Sequence, residues 1–310
     1  MVFIVFRRAV IIATLFFCLA LRLVAADTFR IATYNVENYL DAPGGSRPAK
    51  SVEARARVRE GICALKPDVI ALQEIGGTNA LLELQSSLKA DGLDLPHWEH
   101  ITGFDTNIHV AILSRFPITA RRPQTNDFFL LTGRRFQVSR GFAEVDIQVN
   151  NRYAFTLIDA HLKSKRTVAE ADEADLRLEE AKILREKIDA LLAAKPGLNL
   201  VVLGDFNDLQ DSLPIKTILG RGKKALIDTR PAERDGGHQP ASDRRMAART
   251  VTWTHFYAKE DLYSRMDYIC LSPGMAREWA PNETYVLAIP DWGVASDHRP
   301  LVATFTAEDK

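Results

Sequence analysis

Short apolar runs rich in β-branched residues alternate with helix-periodic segments along most of the chain, and several of those runs stop abruptly at a carboxylate, an amide or an imidazole. "VVLGDFND", Val201 to Asp208, is the clearest case: an apolar strand running out into two carboxylates and an amide. Strands are predicted at Phe29 to Val36, Asp68 to Gln73, Val110 to Ser114, Phe142 to Val149, Tyr153 to His161, Leu198 to Leu203, Met266 to Leu271, Tyr285 to Ile289 and Leu301 to Phe305. Helices are predicted at Ser51 to Leu65, Thr78 to Ala90, Val168 to Ala194 and Leu213 to Leu219. Adjacent antiparallel pairs mix with strand and helix alternation. That pattern implies an α/β fold with mixed sheets between helices.

The 310 residues are 46% hydrophobic, enough to bury a substantial core and to argue against disorder. At the N-terminus Arg7 and Arg8 precede an apolar run from Ala9 to Leu21, and Val24 and Ala26 stand ahead of Asp27. This predicts a signal peptide over 1–26, a single domain over 27–310 and a secreted or periplasmic protein, an uncleaved anchor being the competing reading. Cleavage would remove Arg7, Arg8 and Arg22 and no acids, so that Lys+Arg falls from 40 to 37 against 40 Asp+Glu. A slightly acidic chain is not held on nucleic acid by overall charge, and only local basic clusters remain, at Arg134, Arg135 and Arg140 and at Lys163, Lys165 and Arg166. Cys63 and Cys270 both sit in apolar contexts and are expected to be free and buried. Gly, Pro, Asp and Arg crowd together from Arg221 to Arg249 with little periodicity, as in a functional loop or a tolerated insertion.

Polar residues gather at strand exits, where α/β folds build sites. Asn35 ends the first strand and Glu74 the second; Asp159 and His161 share one face of a third; Asp205 and Asn207 are expected to share a face with Val201 and Leu203. Asp208 then points to the other face, as a turn or helix cap. "SRMDYICL" contributes Asp267, and "ASDHRPLVATF" places Asp297 and His298 ahead of a last strand. Singly, each is a turn former, a cap or a hydrogen-bonded interior histidine. Together they put carboxylates at the end of apolar strands, a costly arrangement that a divalent cation resolves. Hard oxygens from Asn35, Glu74 and Asp297, with no cysteine cluster and no HExxH, favour Mg²⁺ or Mn²⁺ over structural zinc.

"TYNVEN", "ALQEI", "AILSRFPI", "DAHLKS", "LGDFND", "RMDYI" and "SDHRP", in that order, resemble the endonuclease/exonuclease/phosphatase superfamily, which includes deoxyribonuclease I, exonuclease III and neutral sphingomyelinases. The resemblance spans Phe29 to Phe305. It implies a four-layer α/β sandwich, two mixed sheets face to face with helices outside. It also implies a site at one end of the sheet interface. On that resemblance Asn35 and Glu74 bind or position the metal, with Asp297 within its reach. Asp205 orients and deprotonates the attacking water, Asn207 positions that water and a phosphate oxygen, and Asp267 holds His298 against the phosphate. His161 serves the phosphate side on the same resemblance, while Lys163 is a phosphate-binding candidate only as part of the basic cluster with Lys165 and Arg166.

The implied activity is metal-dependent phosphodiester hydrolysis by direct water attack, on DNA or RNA first and on a small phosphoester or phospholipid second. An inactive binding module would have lost one of Glu74, Asp205, Asn207, Asp267 or His298, and all are present. A calcineurin-like metallophosphoesterase would want a downstream Gly-Asn-His-Glu stretch that the chain lacks. "NDFFLLTG" and "WTHFY" are candidates for a membrane-entering hairpin and read more simply as core. No obligate protein partner or association element is evident, and a monomer is expected.

Overall fold

The computed structural model describes residues 28–234 and 252–309, so the signal-peptide reading and the 235–249 part of the Arg221 to Arg249 segment fall outside the described residues. Two mixed sheets form the frame. The seven-stranded sheet runs in the order Ala232–Arg234, Trp279–Leu287, Leu301–Thr306, Thr28–Tyr39, Val69–Ile75, His109–Ser114, His97–Ile101. The six-stranded sheet runs Ile227–Asp228, Asp267–Leu271, Leu200–Asp205, Ala154–His161, Phe142–Gln148, Ile118–Gln124.

Near the middle of each sheet lies one parallel pair, Thr28–Tyr39 beside Val69–Ile75 and Ala154–His161 beside Leu200–Asp205. In each pair both strands therefore end on the same edge, and Asn35, Glu74, His161 and Asp205 are the residues found there.

Three apolar layers account for the packing. Phe29, Ile31, Val69, Ala71, Leu157, Val201, Leu203 and Ile269 fill the space between the sheets. Val58, Ile62, Leu81 and Leu84 of the helices Val52–Leu65 and Thr78–Ala90 cover the outer face of the larger sheet. Leu184, Ile188 and Ile215 of the helices Glu173–Ala194 and Leu213–Leu219 cover the smaller. Alternate residues of each central strand thus face opposite cores, which is why these strands read as continuous apolar runs.

Several local expectations change. The long helix starts at Glu173, because Asp172 caps it by accepting from the amides of Ala174 and Asp175, and Val168 lies in the preceding loop. The strand expected at Tyr285 to Ile289 runs Trp279–Leu287, broken by a bulge between Ala280 and Tyr285. The first part of the aperiodic segment forms a 3₁₀ turn, Gly222–Lys224, and two short edge strands, Ile227–Asp228 and Ala232–Arg234. Cys63 and Cys270 are both free, Cys270 buried but Cys63 only partly so, at the edge of the outer helical layer. No helix among the described residues is long and apolar enough to cross a membrane.

"NDFFLLTG" is not core: Phe128–Leu131 and Arg134–Gln137 pair as a separate two-stranded hairpin, with Leu130 74% and Phe128 42% exposed. "WTHFY" is likewise half-buried at best outside Thr254, and its last three residues pair with Leu262–Ser264.

Candidate active site

The alternation that fills the inter-sheet layer with apolar side chains also delivers the polar ones. Phe29 and Ile31 are followed on the same face by Thr33 and Asn35, Val69 and Ala71 by Gln73, Phe155 and Leu157 by Asp159 and His161. Val201 and Leu203 are followed by Asp205, and Asp267 precedes Ile269 on a neighbouring strand. Register aligns these positions, with Asp205 directly beside His161 on one side and Asp267 on the other. Gly204, at φ +128, allows the close approach, since a Cβ there would stand 2.0 Å from the carbonyl oxygen of Ala160.

Just beneath the mouth, the sheets are tied by buried polar groups. Gln73 Nε2 donates to Asp159 Oδ1 at 2.7 Å and to Thr33 Oγ1 at 3.0 Å. Burial pushes the Asp159 carboxyl well above the usual carboxylate range, although Gln73 acts in the opposite sense.

Above that tie the donors converge on Asp205. Its Oδ2 accepts from Asn35 Nδ2 at 2.9 Å and from Asn207 Nδ2 at 3.2 Å, and its Oδ1 accepts from the Asn207 amide at 2.9 Å. Burial raises its pKa to about 6, against the pull of His298. His298 Nδ1 lies 2.8 Å from Asp267 Oδ2, and its Nε2 faces Asp205 Oδ2 at 3.7 Å. Burial disfavours the imidazolium, but Asp267 and Asp205 together hold the His298 pKa well above its ordinary value. His161 Nε2 stands 3.4 Å from the same Asp205 oxygen, yet burial, with Arg140 and His298 nearby, pushes its pKa well down. The two histidines are therefore pushed in opposite directions, His298 toward the cation and His161 toward the neutral ring.

Two expected residues reach the mouth by irregular backbone rather than by alternation. Glu74 follows Gln73 and would face the opposite way, but a bulge and a φ of +62 turn it in, so that Oε2 accepts from the Asn38 amide at 3.0 Å and Oε1 lies 3.4 Å from Asn35 Nδ2. Asn207 lies beyond the end of its strand at φ +54, so the shared-face expectation fails and the turn itself closes Asn207 onto Asp205. Such left-handed non-glycine residues cost energy and cluster where a site needs them.

Asp208 sits in the turn, its Oδ1 accepting from the Leu209 amide at 2.9 Å, and its Oδ2 accepts from Arg177 Nε at 2.9 Å, pinning the long helix to the turn.

The structure does not bring Lys163 into the cluster. Its Nζ donates to the carbonyls of Ser164 and Arg166, and its amide to Glu180 Oε2. Arg140 also leaves its expected group: it is buried, 3.7 Å from Asp105 and donating to the carbonyl of Leu162, whereas Arg135 lies over the Phe128 ring at 3.8 Å on the hairpin.

The donor set fits a hard divalent cation. Glu37, missed in the sequence, lies beside Glu74 and Asp297; burial first and then Asp297 raise its pKa, and its Oε2 accepts from the Asp297 amide at 3.1 Å. Lys50 offsets this crowding, donating from Nζ to the Glu37 carbonyl at 2.8 Å. Glu74 would hold the ion as an oxygen donor, with Asn35 fixing it through its amide, whereas the structure groups Asp297 with His255 and His298. Three further residues act behind the site. Thr254 Oγ1 accepts from the amides of Met266 and Asp267, Ser296 donates from Oγ to the Asn35 carbonyl, and His255 Nε2 lies 3.6 Å from Asp297 Oδ2. Ser296 lies within "SDHRP", whereas Thr254 and His255 stand out in the sequence only as part of "WTHFY", with no site signal of their own.

The family model described as endonuclease/exonuclease/phosphatase matches residues 32–298. No curated protein matches the sequence. Solved structures do match. Truncated Caenorhabditis elegans TDP2 is 15% identical, with 90% of this chain and 98% of that one covered at a TM-score of 0.59. The human Nocturnin catalytic domain with bound sulfate is 16% identical, with 91% and 98% covered at 0.61. Sphingomyelinase C from Streptomyces griseocarneus is 19% identical, with 91% and 100% covered at 0.57. At these identities the likeness is one of fold.

Proposed function

Because the chain belongs to the endonuclease/exonuclease/phosphatase family, whose members are metal-dependent phosphoesterases, we propose that it hydrolyses phosphodiesters by direct attack of water, with nucleic acid as the first substrate class. The observation that carries this reading is Asp205, buried between His298 and His161 and held at both carboxylate oxygens. A carboxylate with a pKa near 6 has the basicity to take a proton from an attacking water while ionised at neutral pH. Asn207 and Asn35 fix the direction of its lone pairs. Asp267 orients His298 and keeps it cationic, so that Nε2 stabilises charge building on the phosphate oxygens. Neutral His161 offers a hydrogen bond to the phosphate or the leaving oxygen. Mg²⁺ or Mn²⁺ at Glu74 would polarise a phosphoryl oxygen and neutralise developing charge.

A second reading, hydrolysis of a phospholipid headgroup, is favoured by one observation: Leu130 and Phe128 stand exposed on a hairpin that also carries Arg134 and Arg135. The same hairpin and the loop from Lys163 to Val168 border a cleft of about 520 Å³ lined by Phe104, Phe129, Phe136 and Leu176. We further propose export with cleavage after Ala26 and action as a monomeric single domain, which N-terminal sequencing and sedimentation of the secreted chain would test.

The deciding experiment for substrate is a panel under Mg²⁺, Mn²⁺ and chelator: plasmid DNA, single-stranded RNA, phospholipid vesicles and a small phosphomonoester. Chelator-sensitive cleavage of nucleic acid supports the first reading. Cleavage of headgroups without any of nucleic acid replaces it with the second.

A further inference from the structure

His255 plays no part in the chemistry above, yet its backbone forms an isolated antiparallel bridge with that of His298. Flanking bonds lock the pairing, Phe256 N–H to the Asp297 carbonyl at 2.9 Å and Arg299 N–H to the Thr254 carbonyl at 2.6 Å. Residues directly opposite across such a bridge present their side chains on one face. The two imidazoles accordingly lie 4.6 Å apart by ring centroid.

Asp297 completes a three-donor set. Its Oδ2 is 3.6 Å from His255 Nε2 and its Oδ1 is 3.9 Å from His298 Nε2, and one donor atom from each of the three residues lies within 4.8 Å of the others. Tetrahedral Zn²⁺ bonded at about 2.0 to 2.1 Å requires donors about 3.3 Å apart. Donor atoms that already lie within 4.8 Å of one another close to that spacing by no more than about 1.5 Å through side-chain rotation. Asp297 is 44% exposed on its side chain, which opens the set to solvent. Nearby Glu37 and Asp205 add negative charge.

From this geometry we infer that His255, Asp297 and His298 form a second, inhibitory metal site selective for a borderline-soft divalent ion such as Zn²⁺. Two imidazoles and one carboxylate suit zinc, whereas the oxygen set around Glu74 suits magnesium, so the two sites sort ions by ligand chemistry. Occupation displaces the proton of His298 Nε2 to solvent, takes the freed lone pair and withdraws that nitrogen from phosphate. Inhibition by zinc follows. The binding claim stands apart from the proposed hydrolysis and is read without substrate.

The test is calorimetric titration of the chelator-stripped full chain with ZnCl₂ under excess Mg²⁺, paired with the visible spectrum of the Co²⁺-loaded protein. Wild type takes up one Zn²⁺ and gives the strong tetrahedral Co²⁺ bands. His255→Gln, which can keep a hydrogen bond to Asp297, weakens Zn²⁺ binding at least about 10-fold, since even the loss of an outer partner costs that much. Glu74→Gln leaves affinity and bands in place. Asp297→Asn provides the same reading should His255→Gln fail to melt as a folded protein. In the activity arm, Zn²⁺ inhibits wild type and His255→Gln escapes. Equal Zn²⁺ affinity in wild type and His255→Gln overturns the site, as does loss of the Co²⁺ bands in Glu74→Gln.

Discussion

The layer between the two sheets has one construction and two opposite contents. At its closed end Phe29 stacks on Phe155 and Phe305 at 5.4 and 5.5 Å, with Tyr153 at 5.7 Å. A few residues along two of these strands, on the same face, stand Asn35 and His161, with Asp205 beside His161 on the adjoining strand. Alternation, register and burial are shared, and only side-chain chemistry changes, from groups that gain by leaving water to groups that lose by it. One end stabilises the fold and the other spends part of that stability on reactivity. The two should therefore respond differently to substitution.

The largest effect on stability is expected at the closed end. Phe29→Ala should cost about 3 to 5 kcal/mol in a denaturant melt while leaving turnover per folded molecule unchanged. A loss of turnover beyond the loss of folded protein would break the separation. Gln73→Leu probes the boundary. Removing the donor to buried Asp159 should cost about 1 to 3 kcal/mol, read as a lower midpoint, with only a modest change in rate.

At the open end, activity should fall tenfold per pH unit once Asp205 is protonated. Its ordinary value is 3.8 and burial raises it to about 6; a cation at Glu74 favours the charged form, so the acid limb of kcat/KM should lie at or below about 6. A limb well above that value would assign the base elsewhere. The smallest expected effect on stability is at the exposed hairpin, where Leu130→Ser should shift stability by no more than about 0.5 kcal/mol. Loss of vesicle hydrolysis with retained oligonucleotide cleavage in that variant would bring the hairpin into the comparison as a substrate-contacting third region.

What the sequence disclosed follows the same division. Asn35, Asp159, His161, Asp205 and Asp267 were legible because they continue an apolar alternation, and period-2 patterning reports the shared face directly. Glu74 and Asn207 were legible as strand exits, but a bulge and a left-handed turn place them, and neither is encoded in periodicity. His255, Lys50 and Glu37 lie at strand ends or in loops and reach the site through contacts distant in sequence. The hairpin looks like core in the sequence because "FFLL" is as apolar as a core strand, and exposure depends on what packs above it. The Lys163 ammonium shows the converse limit. A basic run near a site looks like phosphate-binding until the loop carbonyls claim the charge.

The most direct test compares wild type and Asp205→Asn on bis(p-nitrophenyl) phosphate under Mg²⁺ or Mn²⁺, with melting temperatures measured on the same samples. Removing the base should lower kcat about 10³-fold. Because Asp205 has a pKa raised on folding, its charge opposes folding above about pH 6, so neutralising it should leave the melting temperature within a few degrees of wild type or above it. Unchanged turnover, or melting as early as Phe29→Ala, would contradict the assignment of reactivity to one end of the inter-sheet layer and stability to the other.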